Sequence, residues 1–541
     1  MSDWKTKKQL VDLLCQLVEY PSITGSEAEI ALAEHIHQRF MEKDYFKNHP
    51  DHVKLHPLPD GRQLVTALVK QDEAQDTVIL LSHFDVVGVD DFGSKKPLAF
   101  YPRGLTEEYE RIREELPDAI QQDMKSGEWL FGRGIMDMKA GLTVHMSMLE
   151  RAMEGEFKGN LLLLTVPDEE VNSLGMLQAL PALQEIKKQE NLNYRACLNG
   201  EPMFSQYPGD PGQYVYSGSI GKLLPGFLCY GKETHVGEPF AGLNANLMVS
   251  YLSQELELNE AFIETVGEET TPPPISLMQR DLKEEYSVQT PQAAVAMYNV
   301  LYLKQSTKEI HKKLLEAANR ASSQTTKHFN AKARAFLNEK PGIHIPEFPV
   351  RVFTYDELYN EAVERYGGEE VERRRNLLIS QREKGDREFS TLLVQELASL
   401  CKDLAPMIVL FYSPPFYPSV SSKEDDYVKD TLQHVKDYTK DQFQITLEEV
   451  EFFPGLSDLS FIGPPTSETK LNTLLENMPL YGNGFELSDE RLSMFQMPIL
   501  NVGPRGKDPH QWSERLELSY SFEQLPEIIS ETIHTLLKTR S

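Results

Sequence analysis

The chain is poor in cysteine, in positive charge and in long apolar runs, and each scarcity closes off a class of protein. Only four cysteines, Cys15, Cys197, Cys229 and Cys401, occur in 541 residues. None forms a close pair and none has zinc-finger spacing, so a disulfide scaffold is excluded and reduced thiols in a cytoplasmic protein are the simplest reading. Lysine and arginine number 55 against 83 aspartates and glutamates, a formal net charge of −28. That balance disfavours phosphate backbones and anionic lipid, so neither nucleic acid nor a membrane is expected as a partner. No apolar run approaches the ~20 residues of a membrane span. The N-terminal stripe Leu10, Leu13, Leu14 and Leu17 marks an amphipathic helix without the apolar core or cleavage site of a signal peptide. Internal repeats and low-complexity tracts are missing too.

What is present is strand–helix alternation. At ~100–200 residues per domain the length allows two to four units. Strands are expected at 64–69, 77–83, 161–166 and in YRACLN before Gly200-Glu201. Helices are expected after Ser26, where Glu29 completes a capping-box pattern, and at 137–153 and 174–189. This order predicts a mostly parallel sheet covered by helices. Character changes near Gly212. Strands in 214–231, in AAVAMYNVLYL and in PVRVFTY alternate with helices at 246–254 and from 306 to about 338, and TPPPISL reads as a turn. This βαββαβ-like order predicts a separate α+β domain with an antiparallel sheet and helices on one face. Residues 356–400 read as an added charged, helical segment, and the strand at 405–413 restarts the first pattern. The expected domains are therefore 1–212 and 401–541 for the first, with 213–400 inserted into it.

The chemistry gathers where strands end, the position at which an open α/β sheet places its ligands. LLLLTVPDEE ends in Glu169 and Glu170, two carboxylates that need a reason to sit there, because burying charge without a partner is costly. A metal ion is one reason and a catalytic base is another; a solvated helix start is the bland alternative. Adjacent strand residues point to opposite sides, so a turn must aim both inward. TVILLSH delivers His83, and Asp85 two residues on can fix its tautomer. The glycine-rich GRGIMDMKAG presents Asp137, YRACLNGE presents Glu201, and GPRGKDPHQWSE presents His510. Imidazoles and carboxylates in this mixture suit zinc, or cobalt and manganese as substitutes. Five ligands exceed one tetrahedral ion; two divalent ions sharing a carboxylate would use them all, with one carboxylate left as general base.

HFD, GRGxxDMKAG, TVPDEE, a strand ending in NGE and a late GPxGxxxH, in that order over residues 83–514, resemble the aminoacylase/carboxypeptidase G family of co-catalytic zinc peptidases, including succinyl-diaminopimelate desuccinylase. Length and insertion are most similar to the arginine-utilisation (RocB-type) branch. The resemblance implies an α/β zinc-peptidase domain with an inserted ferredoxin-like lid. It implies Asp137 as bridging ligand, His83 and Glu201 on one Zn2+, Glu170 and His510 on the other, Glu169 as general base and Asp85 as the orienter of His83. GKETHVGEPFAGLNAN resembles the lid histidine motif and singles out His235 to stabilise the oxyanion. The implied activity is cleavage of an amide in an N-acyl amino acid or short peptide; a catalytically silent binding protein of the same fold is the alternative. Oligomeric state is left open: the lid suggests a homodimer, while an extra segment at 356–400 that covers the pairing edge would oppose one.

Two features depart from the family. Where an arginine of the lid strand grips a substrate carboxylate, this chain has Asn299, Val300 and Leu301, leaving Arg280 or Arg505 as replacements. The connection from Asp85 to Asp137 is long, and its helical insert either narrows the site mouth or decorates the surface; decoration is the favoured reading. Asp458 either lines the site or makes a turn, and Glu514 reads as support for the His510 loop.

Overall fold

Three apolar segments, Asn160–Val166, Asp76–His83 and Asn193–Asn199, lie side by side as parallel strands, with Ile499–Asn501 parallel to the last of them. Their leucines are almost wholly buried, as strands covered on both faces must be. The structure, a computed structural model, describes residues 4–71, 73–207, 209–337, 347–383, 385–467 and 471–538. The full sheet has eight strands in the order Val53–Pro57, Gln63–Val69, Asn160–Val166, Asp76–His83, Asn193–Asn199, Ile499–Asn501, Tyr214–Tyr216, Glu448–Val450. The first two pair antiparallel, so the sheet is mixed with a parallel centre. Val53–Pro57 was not foreseen: its VKLHP carries a single fully buried residue and no apolar run.

The chain divides into two compact units. One comprises Met1–Ile220, Val420–Pro465 and Glu490–Ser541; the other Gly221–Ser419 and Thr466–Asp489. The expected return to the first unit at residue 401 is therefore corrected to 420, and 466–489 joins the second unit. The cause is the strand Met407–Tyr412. All six of its residues are buried, and a fully apolar strand carries no mark of which sheet it enters.

It enters the second sheet, pairing antiparallel with Pro225–Tyr230. That sheet runs Ile275–Asp281, Ala293–Tyr302, Pro225–Tyr230, Met407–Tyr412, Arg351–Thr354. Counted along the chain, the first four positions are strands two, three, one and four, the ferredoxin-like order, with helices Ala245–Leu256 and Thr307–Leu337 as the crossovers. PVRVFTY, expected as the fourth strand, instead adds a parallel strand beyond it. The turn expected in TPPPISL is followed at once by the strand Ile275–Asp281, hidden in the sequence because its residues are only partly buried and end in Gln279, Arg280 and Asp281. Position 338, where the long helix was expected to end, lies outside the described residues.

The segment 356–400 forms helices Tyr355–Tyr366, Gly368–Ser380 and Asp386–Leu400. Leu358, Val371, Val394 and Leu397 of these helices form one apolar cluster with Leu228, Val295 and Val409 of the sheet. The segment thus covers a second sheet face, where helices on one face only were expected. All four cysteines are free and buried. Among the described residues no helix is long and apolar enough to cross a membrane.

The connection between Asp85 and Asp137 builds its own apolar cluster around Phe92, Leu105, Tyr109, Ile120 and Phe131, against which Trp129 and Trp512 pack. Decoration is thereby corrected: the insert grips the first unit around residue 512.

Candidate active site

The parallel centre of the sheet decides which groups meet. His83 is the last residue of its strand and lies in register with Val166, while Leu81 lies opposite Asn199. The strand ends therefore present His83 between the Glu169–Glu170 turn and Glu201. Asp137 arrives from the turn ahead of helix Lys139–Met153, whose Lys139 ammonium donates to the carbonyls of Leu17 at 3.1 Å and Tyr20 at 2.9 Å.

Asp137 lies between the two histidines. Its Oδ1 is 3.3 Å from His83 Nε2 and its Oδ2 is 3.3 Å from His510 Nε2. Beyond His83 stands Glu201, whose Oε1 is 3.5 Å from the same Nε2. Beyond His510 stands Glu170, whose Oε1 is 3.0 Å away. Glu169 approaches His83 Nε2 only to 3.8 Å. One unit thus brings together His83, Asp85, Asp137, Glu169, Glu170, Glu201 and His510. His235 belongs to the other unit, between Pro225–Tyr230 and Ala245–Leu256. It is exposed, and the Gly237 N–H donates to its Nδ1 at 3.0 Å. That bond puts the ring proton on Nε2 and leaves an outward donor.

Asp85 does more than face His83. The His83 Nδ1 is 3.1 Å from the Asp85 backbone carbonyl and 3.5 Å from its carboxylate. The carboxylate accepts from the Glu169 N–H at 3.0 Å, the Glu170 N–H at 3.2 Å and the Thr24 hydroxyl at 2.7 Å. This answers how two consecutive glutamates turn inward: Asp168 takes a left-handed φ of 72°, and Asp85 holds the next two amides. Behind them lies a group that sequence reasoning missed. Arg62 donates to Asp168 at 2.8 Å and to Glu29 at 3.2 Å, and Glu29 in turn accepts from the Asp168 N–H. The expected capping box at Ser26 does not form, because Glu29 is fully buried in this cluster and Ser26 makes no side-chain cap. No motif marks Arg62; only its place in a strand-edge turn, DGR, hints at a special role. Glu514 is likewise buried. It takes the Arg133 guanidinium at 2.8 Å and the N–H of Met136 at 3.1 Å, so it supports Asp137 as well as the His510 loop.

Electrostatics tests whether a cation fits. Burial pushes Glu169 and Glu201 well above the usual carboxylate range; Asp458 and neighbouring carboxylates add to it, and His83 only partly offsets it. Burial also raises Glu170. Asp458, opening the turn Asp458–Phe461, is pushed by burial up to about 7. Burial alone would keep both histidines neutral, yet Glu201, Asp137 and Asp85 raise His83 well above its ordinary value, and Asp137 with Glu170 raise His510 to about 11. The Asp137 carboxyl, despite burial, is held low by His510 and His83. The site gathers protons because it concentrates negative charge, and the same field favours a divalent cation. Ligand atoms of His83, Asp137 and Glu170 lie within 4.8 Å of one another, and the nitrogen/oxygen donor set is one that zinc accepts.

Neither expected replacement for the lid arginine joins this group. Arg280 belongs to the second unit and lies 4.0 Å from Glu388, half-exposed. Arg505 lies near Asp210 and Glu517.

Comparison with known proteins identifies the family. A model of "Peptidase family M20/M25/M40" matches residues 114–467, which include Asp137, Glu169, Glu170, Glu201 and His235. An uncharacterized protein of Bacillus subtilis, YqjN, is 52% identical over 99% of this chain and 98% of its own. Protein RocB of the same organism is 31% identical over 97% of this chain and 94% of its own. Among solved structures, an M20 family metallo-carboxypeptidase of Sulfolobus solfataricus superposes with a TM-score of 0.55 at 11% identity, covering 98% of this chain and 99% of that one.

Proposed function

The chain belongs to peptidase family M20/M25/M40, hydrolases of amide bonds, and on that premise we propose that it cleaves the amide of an N-acyl amino acid or short peptide with the help of two divalent ions, Zn2+ by preference. The observation that carries this reading is the position of Asp137, one oxygen toward each histidine, with a separate carboxylate beyond each. In this reading His83 and Glu201 hold one ion, His510 and Glu170 the other, and Asp137 both. Bound there, the ions supply Lewis acidity and lower the pKa of water.

The chain's own groups divide the remaining work. Glu169 takes the proton of the attacking water and passes it to the leaving amine, a role supported by its 3.8 Å approach to His83, longer than the 3.5 Å of Glu201, and by a burial that favours a held proton. Asp85 keeps Glu169 and Glu170 facing inward through their amides. His235 donates its Nε2 proton to the oxyanion, an interaction that grows as charge develops. The narrower reading, an arginine-related substrate, rests on the likeness in length and insertion to the arginine-utilisation branch. Four free, buried thiols support a cytoplasmic location.

The test combines metal analysis with the Glu169→Gln variant and a panel of N-acyl amino acids that includes N-acyl arginine. The expected outcome is two ions per chain in both proteins, amide cleavage by the native chain, and a turnover loss of roughly 10²–10⁴-fold in the variant. Protein that holds no zinc and cleaves no amide when metal is added would overturn the reading in favour of a silent binding protein.

A further inference from the structure

The histidine expected to hold the second ion comes from a loop in an unfavourable conformation. Asp508 and His510 both take left-handed φ values, 57° and 61°, a conformation that costs non-glycine residues free energy, if less for Asp and His than for most, and that the surroundings help to hold. The surroundings here are the insert between Asp85 and Asp137. Asp123 accepts Lys507 Nζ at 2.7 Å on one flank of the loop, and Arg515 Nε at 2.9 Å and Nη2 at 2.7 Å on the other. The Tyr109 hydroxyl donates to the Trp512 carbonyl at 2.9 Å, and the two rings meet edge to face, 5.7 Å apart. Arg515 then ties the loop internally, donating to the Ser513 carbonyl and to Asp508. A third tie reaches the other carboxylate loop: Arg133 binds Asp91 of the insert at 2.9 Å and Glu514 at 2.8 Å, and Glu514 holds the amide of Met136.

Resting on the two-ion reading above, we propose that Asp123 and Tyr109 of the insert clamp the His510 loop and so set the affinity of the ion subsite that His510 completes, as positioning residues that touch neither ion nor substrate. Both groups act on the backbone and flanks of the loop, and neither contacts the strand ends that carry His83 and Glu201. Removing them leaves His510 in the chain but releases its loop from the strained conformation, so the imidazole spends less time facing Asp137 and Glu170. Supporting groups of metal ligands typically govern ~10–100-fold in affinity.

The experiment is zinc titration of the metal-stripped full chain against a chromophoric chelator, for the native protein, Asp123→Asn and Tyr109→Phe. The native chain is expected to bind two ions. Asp123→Asn is expected to weaken one of them ~10–100-fold and leave the other unchanged, and Tyr109→Phe, which keeps the ring and loses one hydroxyl, to weaken the same ion by a smaller factor. Excess zinc should restore turnover in both. Equal weakening of both ions, or native affinities in both variants, would overturn the clamp while leaving the two-ion reading intact. A native chain that binds fewer than two ions would overturn both. Should Asp123→Asn fail to fold, the Tyr109→Phe result decides alone.

Discussion

The two halves of the candidate site are built in opposite ways. His83 and Glu201 stand on the ends of neighbouring parallel strands, and their side chains are 1% and 4% exposed. Their positions follow from sheet register, which the buried leucines of three strands fix together. His510 stands on a loop, its side chain 45% exposed, and reaches Asp137 only because ion pairs and a tyrosine hydroxyl hold that loop from outside. The first half is positioned by the core; the second by polar ties to an insert. On the two-ion reading proposed above, such a site would keep one ion position rigid and leave the other adjustable without disturbing the fold. Asp137 belongs to both halves and Glu170 faces the looser one, so an adjustment there moves the histidine across a stationary pair of carboxylates.

The contrast breaks most visibly at Arg62. Its guanidinium, 10% exposed, is shared by Glu29 and Asp168, which are 0% and 6% exposed, and this cluster carries the turn that ends in Glu169 and Glu170. Arg62→Met leaves two buried carboxylates without their cation, a change that typically costs 3–5 kcal/mol. We expect a loss of about that size in the unfolding free energy of the metal-free chain, read by denaturant titration, together with lost turnover. A variant of native stability would mean that the rigid half does not depend on this cluster.

Replacing each histidine in turn sharpens the comparison. His83→Ala empties a fully buried place at the end of a core strand and should destabilise the metal-free chain by about 2–3 kcal/mol. His510→Ala leaves no core cavity but takes from Asp137 and Glu170 the imidazolium they share, so it should cost less than His83→Ala yet more than the ~0.5 kcal/mol of an ordinary surface change. Each should lose one ion. Equal shifts in the unfolding midpoint would show that the loop is as integral to the core as the strand.

How much could be read in advance follows the same division. Glu169, Glu170, His83 and Glu201 sit at the ends of apolar strands, and such runs are visible as periodicity, so the parallel centre of the sheet and the place of its chemistry were legible. The ferredoxin-like order was legible in outline, but its fourth strand was misplaced because MIVLFY is apolar throughout and names no sheet. Glu29 was misread as a helix cap, since a capping box and a buried ion pair use the same residue at the same spacing. Asp123 and Tyr109 left no signal, and Arg62 only its place in the DGR turn: they act across separations of 384, 403 and 106 residues, and nothing local in a sequence records such a contact.

A graded effect, at most ~1.4 kcal/mol for each pH unit, concerns the charge that both halves share. Burial raises Asp458 from its ordinary 3.8 to about 7, with Asp85 and Asp168 adding to it and Ser173 and His83 opposing. A carboxyl whose pKa is higher in the folded chain binds its proton more tightly there than in the unfolded one. Its stabilising contribution is complete below about 4 and is lost as pH rises toward 7, so the metal-free chain should become less stable across that window. One proton accounts for a slope of at most ~1.4 kcal/mol per pH unit. Asp458→Asn, which cannot ionise, should flatten the stability curve of the metal-free chain by up to that amount between pH 4 and 7. Bound zinc should flatten it as well, because a cation favours the ionised form that burial disfavours. If zinc flattens the curve of the native chain and leaves that of Asp458→Asn unchanged, Asp458 senses the ions across the floor of the site. If the variant keeps the native slope, the pH dependence comes from the other carboxyls that burial raises, Glu29 and Glu514 together with Glu169, Glu170 and Glu201.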